Sequence, residues 1–96
     1  MLLHVVNRSP ATSRVFEQAL AGMAPDDYLL LIEDGVQGAL PHLVRYYEGV
    51  EGRLFALKED LESRGLLGRC AGSVQVIDVD GFVTLSEEAE RTVSWY

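Results

Sequence analysis

The chain has a single cysteine, Cys70, so it cannot form an internal disulfide. It has a single lysine, Lys58, and its arginines are scattered rather than clustered. Eight basic residues face 15 acidic ones, for a net charge of −7. Nucleic-acid binding draws on basic patches that neutralise phosphates, so direct contact with bare RNA or DNA is not expected. No apolar run approaches the length of a membrane span. The opening MLLHVVNRSP lacks the basic start and the apolar length of a signal peptide, which makes the cytoplasm the expected location. There is no glycine-rich phosphate loop and no nucleophile-elbow pattern. The two histidines and the acids do not fall at metal-ligand spacing, so neither cofactor nor metal is expected.

What is present is enough for one domain over residues 1–96, with 48% apolar residues to build a core. A domain of this size buries only about two-thirds of the surface its unfolded chain exposes. Association with other chains is a natural way to cover more.

Leu2 to Val6 reads as a strand, closed by Asn7-Arg8-Ser9-Pro10. Thr12 and Ser13 are good N-cap types. Val15, Phe16, Ala19, Leu20 and Met23 then trace one face of a helix, ended by Gly22 and Ala24-Pro25-Asp26-Asp27. Tyr28 to Ile32 is apolar throughout, as a strand covered on both faces should be. Val36 to Tyr47 is a helix candidate, with a break expected near Leu40 because of Pro41. Arg53 to Leu57 is a third strand and Lys58 to Arg64 a short helix, with Gly65 as its C′ residue. Leu66 to Ser73 reads as loop and Val74 to Val79 as a fourth strand. Asp80-Gly81 is expected to turn the chain, and Phe82, Leu85, Ala89 and Val93 to form a helical stripe reaching Tyr96. Strands alternating with helices imply βαβ units and a mainly parallel sheet of about four to five strands flanked by helices.

Few residues offer chemistry. Glu33 and Asp34 end an apolar strand, where ligands bind in open α/β sheets. Asp34 is open to four roles: catalytic acid, metal ligand, helix cap or protein contact. Glu33 would point to the opposite face of a strand, so the two do not make a working acid–base pair. Cys70 has Arg69 beside it, but a reactive thiol needs a cation in space, not only in sequence. His4 reads as a buried, hydrogen-bonded histidine and His42 as exposed. Ser9-Pro10 either lines a cleft or simply directs the loop. The terminal Trp95-Tyr96 either packs on the domain or enters another subunit.

One ordered set of motifs is more specific. LHVVNRSP at residues 3–10, LLLIEDGV at 29–36, DLESRG at 60–65, IDVDGFVTL at 77–85 and a tryptophan near the end occur in this order and spacing. Together they resemble the TusB/DsrH family of sulfur-relay subunits over nearly the whole chain. The resemblance implies a small α/β domain that joins TusC-like and TusD-like subunits, or their DsrF and DsrE counterparts, in a dimer of heterotrimers. It implies indirect relay of persulfide sulfur with TusA-like and TusE-like proteins, toward 2-thiouridine at the tRNA wobble position. In the Dsr branch it implies a part in sulfur oxidation. The sulfur-bearing cysteine would belong to the TusD/DsrE-like chain, which leaves this chain non-catalytic.

DsrH-type sequences carry a cysteine in the first helix, and Ala19 stands at or near that place here. Cys70 lies elsewhere and inherits no role. A sulfur carrier needs a thiolate, so this departure favours the TusB side. On this reading Asp34 caps the segment after the second strand, and its loop faces a partner. Two other readings remain open: a Cys70-dependent sulfurtransferase supported by Arg69, and a self-associating module that binds a small ligand at the strand ends.

Overall fold

The computed structural model describes all 96 residues, Met1–Tyr96. Five strands form one sheet: β1 (Leu2–Val6), β2 (Tyr28–Leu31), β3 (Leu54–Leu57), β4 (Gln75–Ile77) and β5 (Arg91–Trp95). Their order across the sheet is β4-β3-β2-β1-β5, and every neighbouring pair is parallel. Three α-helices, α1 (Val15–Ala21), α2 (Lys58–Ser63) and α3 (Val79–Glu88), connect them together with two 3₁₀ segments, Glu33–Ala39 and Val44–Tyr47.

From β1 to β4 the chain steps across the sheet in one direction. It then crosses back over the whole sheet to reach β5. Parallel crossovers are right-handed, so reversing the direction moves the connection to the other face. The cores follow this division. On the first face, Phe16 and Ala19 of α1, Val36, Ala39 and Tyr47 of the 3₁₀ segments and Leu61 of α2 pack on Val6, Leu29, Leu31, Leu54 and Ala56. On the second, Leu3, Val5, Leu30 and Phe55 form a smaller buried cluster beneath Phe82, Leu85 and Ala89 of α3. The alternation of side chains along each strand produces these two sets.

The expected elements hold as far as β4, with one change of type. The segment after β2 begins at Glu33 and is 3₁₀ rather than α-helical. It runs so close to β1 that a Cβ on Gly35 would collide with the Val6 carbonyl oxygen, and one on Gly38 would lie 2.6 Å from the Tyr47 ring. The break comes where Pro41 places it: Leu40 is extended at φ −70°, ψ 148°. Gly65 follows α2 at φ 67°, as a C′ glycine should.

After β4 two expectations fail. Asp80-Gly81 is not a turn but part of the first turn of α3. Asp78 caps that helix, its carboxylate accepting the Gly81 N–H at 2.9 Å. The helical stripe does not reach Tyr96 either. Phe82, Leu85 and Ala89 lie on the sheet, but the helix ends at Glu88 and Val93 belongs to β5. Val93 falls four residues after Ala89, which continues the helical spacing by coincidence. From Arg91 onward the pattern has period two: Val93 and Trp95 are half-buried, while Thr92 and Ser94 are exposed.

Candidate functional site

Three groups of side chains merit a functional reading. The first lies where β2 and β3 end. Glu33 leaves the sheet with φ 50°, a left-handed conformation uncommon for a residue with a side chain. Its amide is held by the Asp60 carboxylate at 2.6 Å. The Arg64 guanidinium reaches Asp34 Oδ1 at 3.0 Å through both Nε and Nη2, and its Nη1 lies 3.9 Å from Asp60 Oδ1. Asp34 therefore caps no helix. The residue before the 3₁₀ segment is Ile32, with no side-chain cap bond, and the Asp34 carboxylate is an exposed ion-pair partner of α2's end. The acid that does receive a backbone N–H there is Asp60, which comes from another element. Sequence adjacency pointed to the wrong carboxylate because the right one stands 27 positions away.

The second group is a buried chain of hydrogen bonds on the first face. Trp95 Nε1 donates to His4 Nδ1 at 3.0 Å, and His4 Nε2 lies 2.9 Å from Asp27 Oδ2. An indole N–H can only donate, so Nδ1 accepts and the proton on Nε2 points to Asp27. Asp27 is only 2% exposed. Burial pushes its carboxyl up, but the Leu2 and Ala24 amides and the His4 ring outweigh that and hold it down at about 2. His4 is thus the buried, bonded residue expected of it. Trp95 packs on its own domain, against the first core, whereas Tyr96 is exposed. Gly22 leaves room for the indole, since a Cβ there would lie 2.9 Å from the ring. The network joins β1, the segment before β2 and β5. Asp26-Asp27 read only as a helix-ending turn in the sequence, and nothing local marked Asp27 as the partner of His4.

The third group surrounds the loop after β1. Ser9 is buried, and its hydroxyl and carbonyl accept the amides of Ala11, Thr12 and Ser13. This turn walls a cavity of about 500 Å³, lined among others by Pro10, Ser13, Arg14, Phe16, Glu17 and Tyr46. Arg14 pairs with Glu17 along its rim, and Arg45 lies over the Tyr46 ring at 4.8 Å. Of the two readings of Ser9-Pro10, Pro10 lines this cleft, while Ser9 holds the turn behind it.

Cys70 stands apart from all three. It lies in the loop between α2 and β4, half-buried against the first core. Burial pushes its thiol above the ordinary value, the opposite of activation. Ala19 is fully buried in α1, facing the sheet. His42 is exposed, as expected. No group of three His, Cys, Asp or Glu side chains converges at metal-binding distance. No helix is long and apolar enough to cross a membrane.

Comparison with known proteins agrees along the chain's length. The structure superposes on the crystal structure of the ychN protein from E. coli with a TM-score of 0.80, covering 97% of each chain. At 14% identity that likeness speaks for the fold. Proteins named TusB are similar in sequence: one from Escherichia coli is 35% identical over 98% of this chain and 100% of its own length. One from Shigella dysenteriae is 34% identical over the same spans. The model of the DsrH-like protein family matches residues 8–92, and with it the chain belongs to the TusB/DsrH family.

Proposed function

We propose that the chain is a non-catalytic subunit of a TusBCD-like sulfur-relay complex in the cytoplasm. There it supports persulfide transfer toward 2-thiouridine at the tRNA wobble position. The observation that carries this reading is the family match, which takes in almost every residue together with full-length TusB relatives. The state of the only thiol supports the non-catalytic part. Cys70 is raised by burial and sits outside the cavity, the strand-end ion pairs and the first helix. A persulfide carrier attacks as thiolate, and a thiol pushed upward is mostly protonated near neutral pH. The net charge of −7 supports leaving tRNA contact to another protein.

In this reading the chain holds TusC-like and TusD-like subunits in a dimer of heterotrimers, and TusA-like and TusE-like proteins deliver and receive sulfur elsewhere in the assembly. Native mass spectrometry of the tagged chain, purified from its own cells, tests the proposal. The expected result is two further small subunits in equal ratio, at least one with a cysteine that takes a persulfide. A chain that arrives alone or only with itself overturns it. A persulfide on Cys70, lost in Cys70→Ser together with sulfur transfer, would overturn the non-catalytic part.

A further inference from the structure

The two faces of the sheet are not equally covered. All 25 buried residues precede Gln75, and residues 75–96 contribute none. The second face nevertheless carries Leu3, Val5, Leu30 and Phe55, and the only helix above them is α3, none of whose residues is fully buried. Phe82 and Leu85 stay half-open where α3 meets the sheet. One turn apart on its flank, Val79 and Val83 are 47% and 48% exposed. Between Arg69 and Arg91 there is no lysine or arginine, while Asp78, Asp80, Glu87, Glu88 and Glu90 fall at the two ends of α3. Glu59 adds a sixth carboxylate at its start, accepting the Val79 N–H.

From this we infer that the exposed flank of α3 is a docking surface for a different polypeptide, one that presents apolar side chains rimmed by lysine and arginine. The charge decides the occupant. A second copy meeting this face across a twofold axis would set α3 against α3 and oppose the same carboxylates on each side. Like charges brought together in an interface are strongly unfavourable. A basic rim is drawn to the same acids, and it leaves the valines and the half-open Phe82 and Leu85 to form the apolar centre. The inference rests on the subunit reading above and assigns the surface through which it operates.

The test co-expresses the full chain with the TusC-like and TusD-like chains of the same genome. It compares wild type, the double variant Val79→Arg with Val83→Arg, and the reversal Glu87→Lys with Glu88→Lys. Both pairs replace exposed side chains, and Trp95 fluorescence reports that the domain stays folded. The arginine pair should lower affinity roughly tenfold or more, as bulky charges in an interface centre do. The lysine pair should slow association, and that difference should fade at high salt. Amide exchange in residues 79–88 should slow on assembly of the wild type. A wild-type complex that forms equally well with the arginine pair and leaves α3 exchange unchanged overturns the surface but spares the subunit reading. A wild type that forms no complex overturns both. Charge reversal without effect overturns the basic rim, and a homodimer abolished by Val83→Arg overturns the choice of a different polypeptide.

Discussion

Residues 1–74 and 75–96 are built to different standards. The first stretch supplies seven elements of a tightly packed face: β1, β2 and β3 with α1, the two 3₁₀ segments and α2 folded over them. The second stretch contributes an edge strand at each side of the sheet and one helix across the other face, with no fully buried residue. Both stretches use ordinary apolar residues at sensible spacing. The difference lies in position: the second stretch occupies the sheet's two edges and its outer layer. A residue between the sheet and a helix loses nearly all its water, while Val76 on an edge strand and Val79 and Val83 on the outer flank of α3 keep 40–48% of their surface exposed. A chain that keeps one face this thin has low stability there by itself and surface to offer a partner.

The sharpest way to break the comparison is to make the same substitution in both regions. Leu61→Ala removes a fully buried side chain from the first core and should cost about 2–5 kcal/mol. Leu85→Ala, in a half-open site on α3, should cost about 1 kcal/mol, since little of its transfer energy is realised. Urea unfolding of the two variants checks both figures, and equal losses would erase the distinction. Next in size is Gly35→Ala. The added methyl meets the Val6 backbone oxygen, which no side-chain rotation can move, so about 1–3 kcal/mol of overpacking strain is expected in the same assay.

Acid should separate the regions in another way. Asp27 falls from an ordinary 3.8 to about 2 in the folded chain, so the unfolded chain binds its proton first as pH drops. A depressed carboxyl stabilises the fold fully above its unfolded value, and that contribution disappears as pH falls through its folded value. Roughly 2 kcal/mol should therefore be lost between about pH 4 and pH 2. Asp27→Asn should flatten this part of the profile when unfolding is followed by Trp95 fluorescence. Trp95→Phe comes next. It leaves His4 Nδ1 without a donor and should cost about 1 kcal/mol, loosening β5 more than β1 in amide exchange. The smallest effect belongs to Asp34→Ala. An exposed ion pair with Arg64 is worth about 0–1 kcal/mol, less than a lost helix cap would cost, and thermal unfolding should move little.

Legibility in the sequence followed the same division. Leu2–Val6, Tyr28–Leu31 and Leu54–Leu57 were readable because a strand buried on both faces is apolar almost throughout, with His4 the one polar residue among them. Pro41 and Gly65 marked their boundaries because each restricts or frees the backbone by itself. Beyond Val74 the same rules misled. Asp80-Gly81 looked like a turn, although an aspartate two residues earlier capped the helix and drew Gly81 into it. Val93 kept the rhythm of α3 while lying in a strand, because an edge strand with one half-buried face repeats too few residues to outvote the helical spacing. The site divided likewise. His4 was visible locally and Ser9-Pro10 only as one of two alternatives, whereas Asp27, Asp60 and Arg64 acquired their roles from partners more than 20 positions distant.

What the sequence determined by itself is the inventory: one domain, a mainly parallel sheet, a lone and poorly placed thiol, an acidic surface and a family pattern in LHVVNRSP, LLLIEDGV and IDVDGFVTL. These depend on residue type and on spacing within a few positions. Only the tertiary structure decided which carboxylate meets which donor, that β5 lies beside β1 rather than continuing α3, and that a single helix, α3, covers the second face of the sheet. Each of these is a contact between segments far apart in the chain. Backbone preferences do not reach that far: parallel pairing of β2 with β3 sets the strand-end carboxylates together, and the crossover from β4 back to β5 sets the last strand beside the first.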